Sequence, residues 1–525
     1  MNITKKICAV VVCVAMVVGV LLAQRYTSLD TEREEVFAHN DSLVIWYTDD
    51  ALTDYLNAMA VEYHETYGAR VIPKLQSGSE YVESVYKASV EKDGAPDLYI
   101  ITNDSLEKAY LSGCAAVIAD EKEDVSTSNF SQVAIDSVTY KNNKVAYPFF
   151  FETCALIYNK TYLQDYAYSK IEAEDKEAAE AAGETVSEES SSSSENKDST
   201  EASTEASTEE ASTEEEDLPL SEKLDAETFA RVNDRVVELI PATFDDLLAF
   251  AEEYDAPADL ESIFKWDVRD IFYNYYFVGN YADVGGSCGD NPDIISIYNI
   301  NSVSAMQLYQ NLNQFFSFEY ANMTYQDVIQ EFSEGKILYT TATTDIIATL
   351  NEKAESGDFA YEYGVAPIPD LNADKPSKNL SVTDCIVING YSDKRDQAES
   401  FARFLTIAHA GELYEKTGKL AANINAQYEN EDLNVFLDEY ADSVPMPKMM
   451  ATSNYWLKLE TAFADVWGGA QVSPTLKNLS EEIKQQVSGI LVEEEYIEED
   501  KEEESIEYLD EEQLRQEALE EATEE

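Results

Sequence analysis

The sequence predicts an α/β fold built as two lobes, and two observations support this prediction. Residues 43–111 alternate between β-rich apolar runs, at 43–47, 69–73 and 97–101, and stretches with apolar residues at helical spacing. Such alternation is typical of a largely parallel sheet. The second observation is size, since roughly 400 residues of globular composition are too many for one hydrophobic core.

The predicted sheet places polar residues where small molecules bind. Residues 46–50 lie at the carboxyl end of the first predicted strand and residues 101–104 at the carboxyl end of the third. Ligands of open α/β sheets bind beyond the carboxyl ends of the strands. We therefore expect a binding site at this edge.

Two acidic segments account for much of the net charge of −68. The insert 165–217 interrupts the second lobe with a Glu-Ala-Ser-Thr repeat, and the tail 493–525 is similarly acidic. Both have little to bury, so we expect them to be disordered and solvated. Calcium buffering or spacing from a cell wall are open alternatives. The acidic composition excludes a nucleic-acid partner, because there is no basic footprint.

The N-terminus predicts export. Lys5 and Lys6 precede an apolar run over residues 7–23, which lies at the short end of the membrane-spanning range. The positive flank is expected to stay in the cytoplasm, so the rest of the chain is extracytoplasmic. Segment 1–28 is either a signal peptide or an anchor, and the absence of a good cleavage site favours a membrane anchor at a bacterial cell surface.

Motifs for metal or nucleophilic catalysis are lacking. The chain has no GxSxG elbow, P-loop, GxGxxG or HExxH motif, so we expect no cofactor and no metal. The histidines His39, His64 and His409 are isolated, which indicates surface positions. Glycoside hydrolysis by a carboxylate pair remains open, because so acidic a chain offers many pairs. The scattered cysteines fit buried free thiols rather than a disulfide framework: Cys114, Cys154, Cys288 and Cys385.

One carboxylate stands inside an apolar segment. Glu152 lies between two β-rich runs in residues 147–160, where a solvated acid is not expected. A buried unpaired charge is costly, so Glu152 must either have a structural partner or face a polar ligand.

Aromatic clusters are the second candidate binding feature. Residues 272–277 follow Trp266 and Asp270, and residues 454–456 form what we expect to be an exposed aromatic turn. Aromatic faces stack on sugar rings, although core packing explains either cluster taken alone.

Several collinear segments carry a family resemblance. Residues 42–490, without the insert, resemble the extracellular solute-binding proteins of ABC importers, in the group typified by maltodextrin-binding protein. The segments are Leu43-Val44-Ile45-Trp46, Ala95-Pro96-Asp97-Leu98, residues 147–160, residues 241–247, residues 332–336, residues 363–369, Ala398 to Leu405 and residues 418–422.

The resemblance implies a type II periplasmic-binding-protein fold, in which a solute is trapped when two lobes close about a hinge. Lobe 1 would comprise residues 42–151 and 370–420, and lobe 2 residues 152–369 and 421–492. The implied partners are the solute and ABC permease subunits, with the chain acting as a monomer and without catalysis.

The resemblance also implies the ligand-binding residues. They are Asp49, Asp50, Asp104, Glu152, Asp270, Phe272 and Trp456. Thr343, Thr344 and Ile101 stand where the family often has aromatics, which points away from a maltodextrin. The expected solute is another sugar or oligosaccharide, with a polyamine as the alternative. A surface sensor or adhesin on the same fold is the alternative to transport.

Overall fold

The computed structural model describes residues 42–92, 94–119, 123–182, 219–316 and 323–499. The predicted anchor 1–28, His39 and most of the two acidic segments lie outside these residues.

The strands are numbered in chain order. They are β1 (Ser42–Tyr47), β2 (Arg70–Leu75), β3 (Leu98–Thr102), β4 (Thr139–Tyr140), β5 (Asn143–Lys144), β6 (Tyr147–Glu152), β7 (Cys154–Asn159), β8 (Ser262–Phe264), β9 (Asp283–Val284), β10 (Ile295–Ser296), β11 (Ile337–Thr343), β12 (Tyr363–Ala366), β13 (Leu380–Ile388), β14 (Leu420–Ala421) and β15 (Val444–Pro445).

The α-helices surround the sheets. They are α1 (Thr53–Tyr67), α2 (Tyr81–Glu91), α3 (Leu106–Leu111), α4 (Gln132–Ser137), α5 (Lys160–Ala182), α6 (Leu220–Lys223), α7 (Ala226–Leu239), α8 (Phe244–Glu253), α9 (Ile300–Phe315), α10 (Tyr325–Ser333), α11 (Ile346–Ser356), α12 (Arg395–Arg403), α13 (Leu413–Thr417), α14 (Asp432–Ala441), α15 (Tyr455–Trp467) and α16 (Val472–Ser488). Single turns of 3₁₀-helix occur at Asp50–Leu52, Asn103–Ser105, Ile271–Tyr273, Tyr275–Phe277, Ala410–Glu412 and Met450–Thr452, and a π-helical turn at Phe404–Ala408.

Local chemistry fixes several helix ends. Thr243 and Asp246 form a capping box at the start of α8, so the first backbone N–H groups of the helix have side-chain acceptors. Thr324 and Asp327 do the same for α10. Helix α1 ends at Gly68, whose φ of 74° is readily adopted by a residue without Cβ.

Each lobe has its own sheet. The first sheet has the order β14-β6-β13-β3-β1-β2, with β15 also paired to β13, and the second has the order β12-β7-β11-β8. Strands β1, β2 and β3 are parallel, as predicted. The expectation of a largely parallel sheet is wrong for β6, β13 and β14, because β13 runs antiparallel to both β3 and β6 and β14 runs antiparallel to β6. These antiparallel strands belong to the chain segments that cross between the lobes.

The crossing segments join the two sheets. The chain leaves the first sheet at the end of β6, passes through the buried Thr153 and enters the second sheet as β7. It returns between β12 and β13, and the Thr153 hydroxyl donates a hydrogen bond of 2.9 Å to the Leu380 carbonyl on that return. This hydrogen bond therefore joins the two crossing segments.

The hydrophobic core is divided in the same way. One buried cluster contains β1, β3 and the apolar faces of α1 and α12. The other contains β7, β11, α9 and α15. The fold is thus two-lobed, as the sequence predicts.

The acidic insert begins later than predicted. Residues 165–182 belong to α5, because this stretch is rich in strong helix formers and packs against α7. Arg231 of α7 pairs with Asp175 in a two-pronged contact of 2.9 and 3.0 Å, and Arg235 pairs with Glu174. Residues 183–217 lie outside the described part of the chain.

The acidic tail also begins with ordered contacts. Ile497 packs against the second core, and its backbone N–H donates to the Tyr298 hydroxyl at 2.6 Å. Glu499 accepts a hydrogen bond from the Ser473 backbone at 2.7 Å. The prediction of disorder from residue 493 is therefore wrong for residues 493–499.

The four cysteines within the described residues are free thiols, as predicted. Cys114, Cys154 and Cys385 are buried, whereas Cys288 is only half-buried.

Candidate ligand-binding cleft

Three of the predicted acids lie at the carboxyl ends of strands β1 and β3 in the first sheet. Asp49 follows β1 and accepts a hydrogen bond of 3.0 Å from the Ala51 backbone, which starts a 3₁₀ turn. Asp104 follows β3 and accepts from the Thr102 hydroxyl at 2.5 Å. Asp50, at the same end of β1, is exposed. Asp49 and Asp104 therefore lie at the same edge of the sheet, and each is held in place by a hydrogen bond that it accepts from a nearby residue.

Lys419 connects the first loop to Glu152. Its ammonium lies 2.8 Å from Asp49 and 3.9 Å from Glu152, and 4.8 Å above the centre of the Phe150 ring. Burial lowers the pKa of Lys419, but the hydrogen bond to Asp49 and the nearby carboxylates outweigh burial and raise it. Lys419 is therefore charged at neutral pH.

Glu152 lies at the crossing between the sheets. Its side chain is 30% exposed, and its second oxygen accepts a hydrogen bond of 2.7 Å from the Thr344 hydroxyl. Burial raises the pKa of Glu152, and the Thr344 hydrogen bond and the Lys419 charge only partly offset that effect. Glu152 thus has structural partners and a face that remains accessible.

Asp384 is a site residue that the sequence reasoning missed. It lies on β13, opposite Thr102 on one side and Phe150 on the other, where an irregularity shifts the pairing with β6. Burial raises the pKa of Asp384 to about 7, and the charges of Glu152, Asp49 and Asp104 add to this while Lys419 opposes it. Asp384 therefore keeps its proton to a far higher pH than an ordinary aspartate does.

In the second lobe, the residues around Cys154 are the ones that interact with the carboxylates of the first lobe. Asp270 caps a 3₁₀ turn by accepting from the Phe272 backbone at 2.8 Å, and the Phe272 carbonyl lies 3.7 Å from the Cys154 sulfur. Burial and the charges of Asp270 and Glu152 raise the pKa of the Cys154 thiol. The carboxylates of both lobes thus act on the same buried thiol.

Asp345 extends the polar wall of the second lobe. It follows Thr344 and accepts hydrogen bonds from the hydroxyls of Thr343 and Tyr325. The Tyr325 ring stacks on Tyr273 with 4.7 Å between ring centres. This wall therefore combines an exposed carboxylate with stacked aromatic rings.

Trp456 lies in the first turn of helix α15 and not in an exposed turn, so that expectation is wrong. Its ring is half-buried and meets Tyr275 edge-on at 5.4 Å, while the neighbouring Tyr455 is buried. Helix α15 packs against the 3₁₀ turn that contains Phe272. Tyr273, Tyr275 and the rest of the cluster 272–277 are buried, apart from the half-buried Phe272.

The structure brings the predicted residues together to different degrees. Asp49 and Glu152 both lie beside the Lys419 ammonium. The charge of Asp104 helps to raise the pKa of Asp384, and the charges of Asp270 and Glu152 both help to raise the pKa of the Cys154 thiol. Lys419 belongs to the segment 418–422 that carries the family resemblance, so a signal for it existed. Asp384 had no such signal in the sequence, because only the pairing of β13 with β3 and β6 places Asp384 near the other acids.

His409 is half-buried instead of lying on the surface as predicted. Its Nδ1 is 2.7 Å from Glu412 and its Nε2 is 3.7 Å from Glu62, and the three residues could contribute one ligand atom each to a metal ion. The two ring nitrogens face different carboxylates, however, which is the arrangement of a histidine held between two acceptors.

The arrangement in the cleft suits recognition of polar groups. Carboxylates accept hydrogen bonds from hydroxyl or ammonium groups, Lys419 donates them, and half-buried rings provide apolar faces. The family model for bacterial extracellular solute-binding proteins matches residues 58–433. The chain belongs to this family. Asp104, Glu152, Asp270 and Phe272 of the solute-binding protein lie inside the matched range.

Solved structures share the fold of this solute-binding protein. An extracellular solute-binding protein from Staphylococcus aureus in complex with maltose gives a TM-score of 0.63 at 17% identity, covering 86% of this chain and 98% of its own. A cyclo/maltodextrin-binding protein complexed with maltotetraose gives 0.62 at 18%, covering 85% and 97%. The maltose-binding periplasmic protein of Listeria monocytogenes, in complex with maltose, gives 0.60 at 19%, covering 85% and 98%. None of the curated proteins compared with the chain matches it.

Family membership places the solute-binding protein outside the cytoplasm. Among the described residues, no helix has both the length and the apolar character needed to cross a bilayer.

Proposed function

We propose that the protein captures a carbohydrate-like solute between its lobes and delivers it to an ABC permease. The observation that carries the proposal is Glu152, an accessible carboxylate at the crossing strand, held by Lys419 from one side and by Thr344 of the second lobe from the other. A carboxylate fixed in this way can accept hydrogen bonds from two neighbouring sugar hydroxyls. Lobe closure would then bring both walls onto the solute.

The proposed contact residues are Asp49, Asp50, Asp104, Glu152, Asp270, Phe272 and Trp456, with Lys419 and Asp384 added. The half-buried rings of Phe272 and Trp456 offer faces for a sugar ring. Structural neighbours that hold maltose or maltotetraose support a saccharide as the class of solute.

The proposed lobe boundaries follow the crossings. Lobe 1 would take residues 42–151 and 370–420 and lobe 2 residues 152–369 and 421–492, and the buried cluster of the second sheet also takes in Phe151, Leu371 and Leu380 next to the crossings. We further propose that the chain acts as a monomer, tethered to the membrane by its N-terminal segment, and that it binds without chemical turnover.

A glycan panel tests the proposal. The purified protein is incubated with neutral oligosaccharides, amino sugars and polyamines, and its thermal unfolding and any cleavage products are followed in parallel. We expect at least one saccharide to raise the unfolding temperature, because a ligand that binds only the folded state stabilises it by mass action. Sustained cleavage would show an enzyme instead, and stabilisation by no saccharide would refute the proposed solute class.

A further inference from the structure

Lys448 is a fully buried lysine outside the proposed contact residues. It lies on the chain segment between β15, which pairs with β13 of the first sheet, and α15, which belongs to the second core. This segment is therefore a third crossing between the lobes. Burial of an ammonium group is costly, and it lowers the pKa of Lys448 to about 8. An apolar side chain would fill the same space without that cost.

The ammonium of Lys448 joins two parts of the chain that are distant in sequence. Its Nζ donates a hydrogen bond of 2.8 Å to the carbonyl of Asp136, on α4, and a second hydrogen bond to the carbonyl of Cys288. Asp136 lies in the range proposed for lobe 1 and Cys288 in the range proposed for lobe 2. The buried donor thus binds one carbonyl from each lobe.

The loop 285–291 of the second lobe, which contains this second carbonyl, has further contacts at the same place. The Asp290 carboxylate accepts a hydrogen bond of 2.5 Å from the backbone of Lys141, in the turn between β4 and β5 of the first lobe. The Gly289 carbonyl accepts one of 2.7 Å from the backbone of Lys448. The loop is therefore bound both to the first lobe and to the third crossing.

The third crossing also contacts the residues next to two of the proposed contact acids. The Met446 carbonyl accepts a hydrogen bond of 2.8 Å from the side-chain amide of Asn103, and the side-chain oxygen of Asn103 accepts one of 3.0 Å from the Thr383 backbone. Asn103 precedes Asp104, and Thr383 precedes Asp384. A displacement of the third crossing would therefore reach both acids through one buried amide.

We infer that Lys448 is a positioning residue for solute capture: its ammonium holds loop 285–291 of the second lobe to α4 of the first and thereby sets the relative position of the lobes. The inference rests on the proposed function, in which capture occurs by lobe closure. Movement about the hinge changes the distance between carbonyls on different lobes. The two hydrogen bonds of Lys448 therefore favour one arrangement of the lobes over the others.

Single-molecule energy transfer on the ligand-free full chain tests the inference. Donor and acceptor dyes are attached to unnatural amino acids at Glu65 of α1 and Glu352 of α11, two exposed positions on different lobes. Lys448→Met keeps most of the side-chain volume and removes the ammonium. We expect it to change the ratio of the lobe arrangements about tenfold, away from the arrangement that the hydrogen bonds favour, because hydrogen bonds from a charged donor are strong.

Two further variants accompany this one. Lys394→Met is the matched control, because the Lys394 ammonium also donates to a backbone carbonyl, that of Ser42 at 2.6 Å, but within one lobe. Its energy-transfer distribution should equal that of the wild type. Asp290→Ala removes the other contact of the loop with the first lobe and should shift the distribution in the same direction as Lys448→Met, but by less. Circular dichroism shows which variants are folded.

A folded Lys448→Met protein with the wild-type distribution overturns the inference. If Lys448→Met does not fold, a wild-type distribution in Asp290→Ala overturns it instead. An equal change in Lys394→Met would show a general effect of losing a lysine, and that result also refutes a specific role for Lys448. Because no solute is present in these measurements, they leave the proposed function untouched, and the glycan panel decides that function separately.

Discussion

Thr344 donates a hydrogen bond of 2.7 Å to Glu152 and thereby links the two lobes through a single carboxylate. Thr344 follows β11 of the second sheet, whereas Glu152 ends β6 of the first. The other oxygen of Glu152 faces Lys419, which is itself paired with Asp49 on the first lobe. The surroundings of Glu152 therefore depend on the relative position of the lobes.

Replacement of this acid tests its role in binding. Glu152→Gln keeps an acceptor for Thr344 but removes the charge that faces Lys419 and the solute. We expect the affinity for the solute found in the panel to fall about tenfold, because a hydrogen bond to a charged group contributes about 1.5–3 kcal/mol. Calorimetric titration measures the affinity, and circular dichroism checks that the fold is retained. Glu362→Gln, at a surface acid paired with Lys160, is the matched control and should bind as the wild type does.

The aromatic face of Trp456 gives a separate prediction. Trp456→Ala should weaken binding of a saccharide and lower the unfolding temperature only modestly, since the ring is half-buried against Tyr275. Trp456→Phe, which keeps a ring at this position, should recover most of the affinity. Both are measured by titration calorimetry and thermal unfolding. Unchanged affinity in both Trp456→Ala and Glu152→Gln would remove the proposed site.

The local elements of the first lobe could be predicted from the sequence. Strands β1, β2 and β3 and the helices between them follow directly from runs of apolar residues and their spacing. The need of Glu152 for a partner was also predictable, because an acid inside an apolar run requires either a structural partner or a polar ligand. These features depend on residues that are close in sequence.

The rest of the site depends on contacts between distant parts of the chain. Asp384 lies opposite Phe150 through strand pairing across more than 200 residues, and no local periodicity encodes that register. Trp456 looked exposed because its own neighbours are aromatic, whereas Tyr275 from another segment covers part of it. Helix α5 continues to Ala182 because arginines of α7 pair with its acidic side chains. The sequence of α5 alone does not reveal these partners.

The raised carboxyl pKa values predict how stability depends on pH. The pKa of Asp384 is about 7 in the folded protein, against an ordinary value of 3.8, and the pKa of Glu439 is also about 7. Between about pH 4 and pH 7 the folded state therefore binds protons that the unfolded state has released. These groups make the protein less stable as the pH rises through that window.

Thermal unfolding of the ligand-free protein at several pH values checks this sign. We expect Asp384→Asn to reduce the loss of unfolding temperature on going from about pH 5 to about pH 8, because the amide stays neutral throughout. Asp234→Asn, at an exposed acid on α7, should leave the pH profile unchanged. An Asp384→Asn profile as steep as that of the wild type would contradict the assignment.

Gly279 tests the packing that holds the returning crossing segment. A Cβ at this position would lie 2.0 Å from the backbone carbonyl oxygen of Lys378, which cannot rotate away as a side chain could. Lys378 is anchored beside it, because its backbone N–H donates to the Tyr276 carbonyl at 3.2 Å. Gly279→Ala should therefore destabilise the protein by about 1–3 kcal/mol through forced displacement of the backbone.

Denaturant unfolding measures this loss, with Gly411→Ala as the matched control, since nothing lies within 4 Å of a Cβ there. Because Lys378 lies two residues before the strand that carries Asp384, the displacement should also weaken solute binding in the Gly279→Ala variant under conditions where it remains folded. A Gly279→Ala protein as stable as Gly411→Ala would show that the segment between β12 and β13 can move without cost. In that case the close packing at Gly279 would not be what positions Asp384 in the cleft.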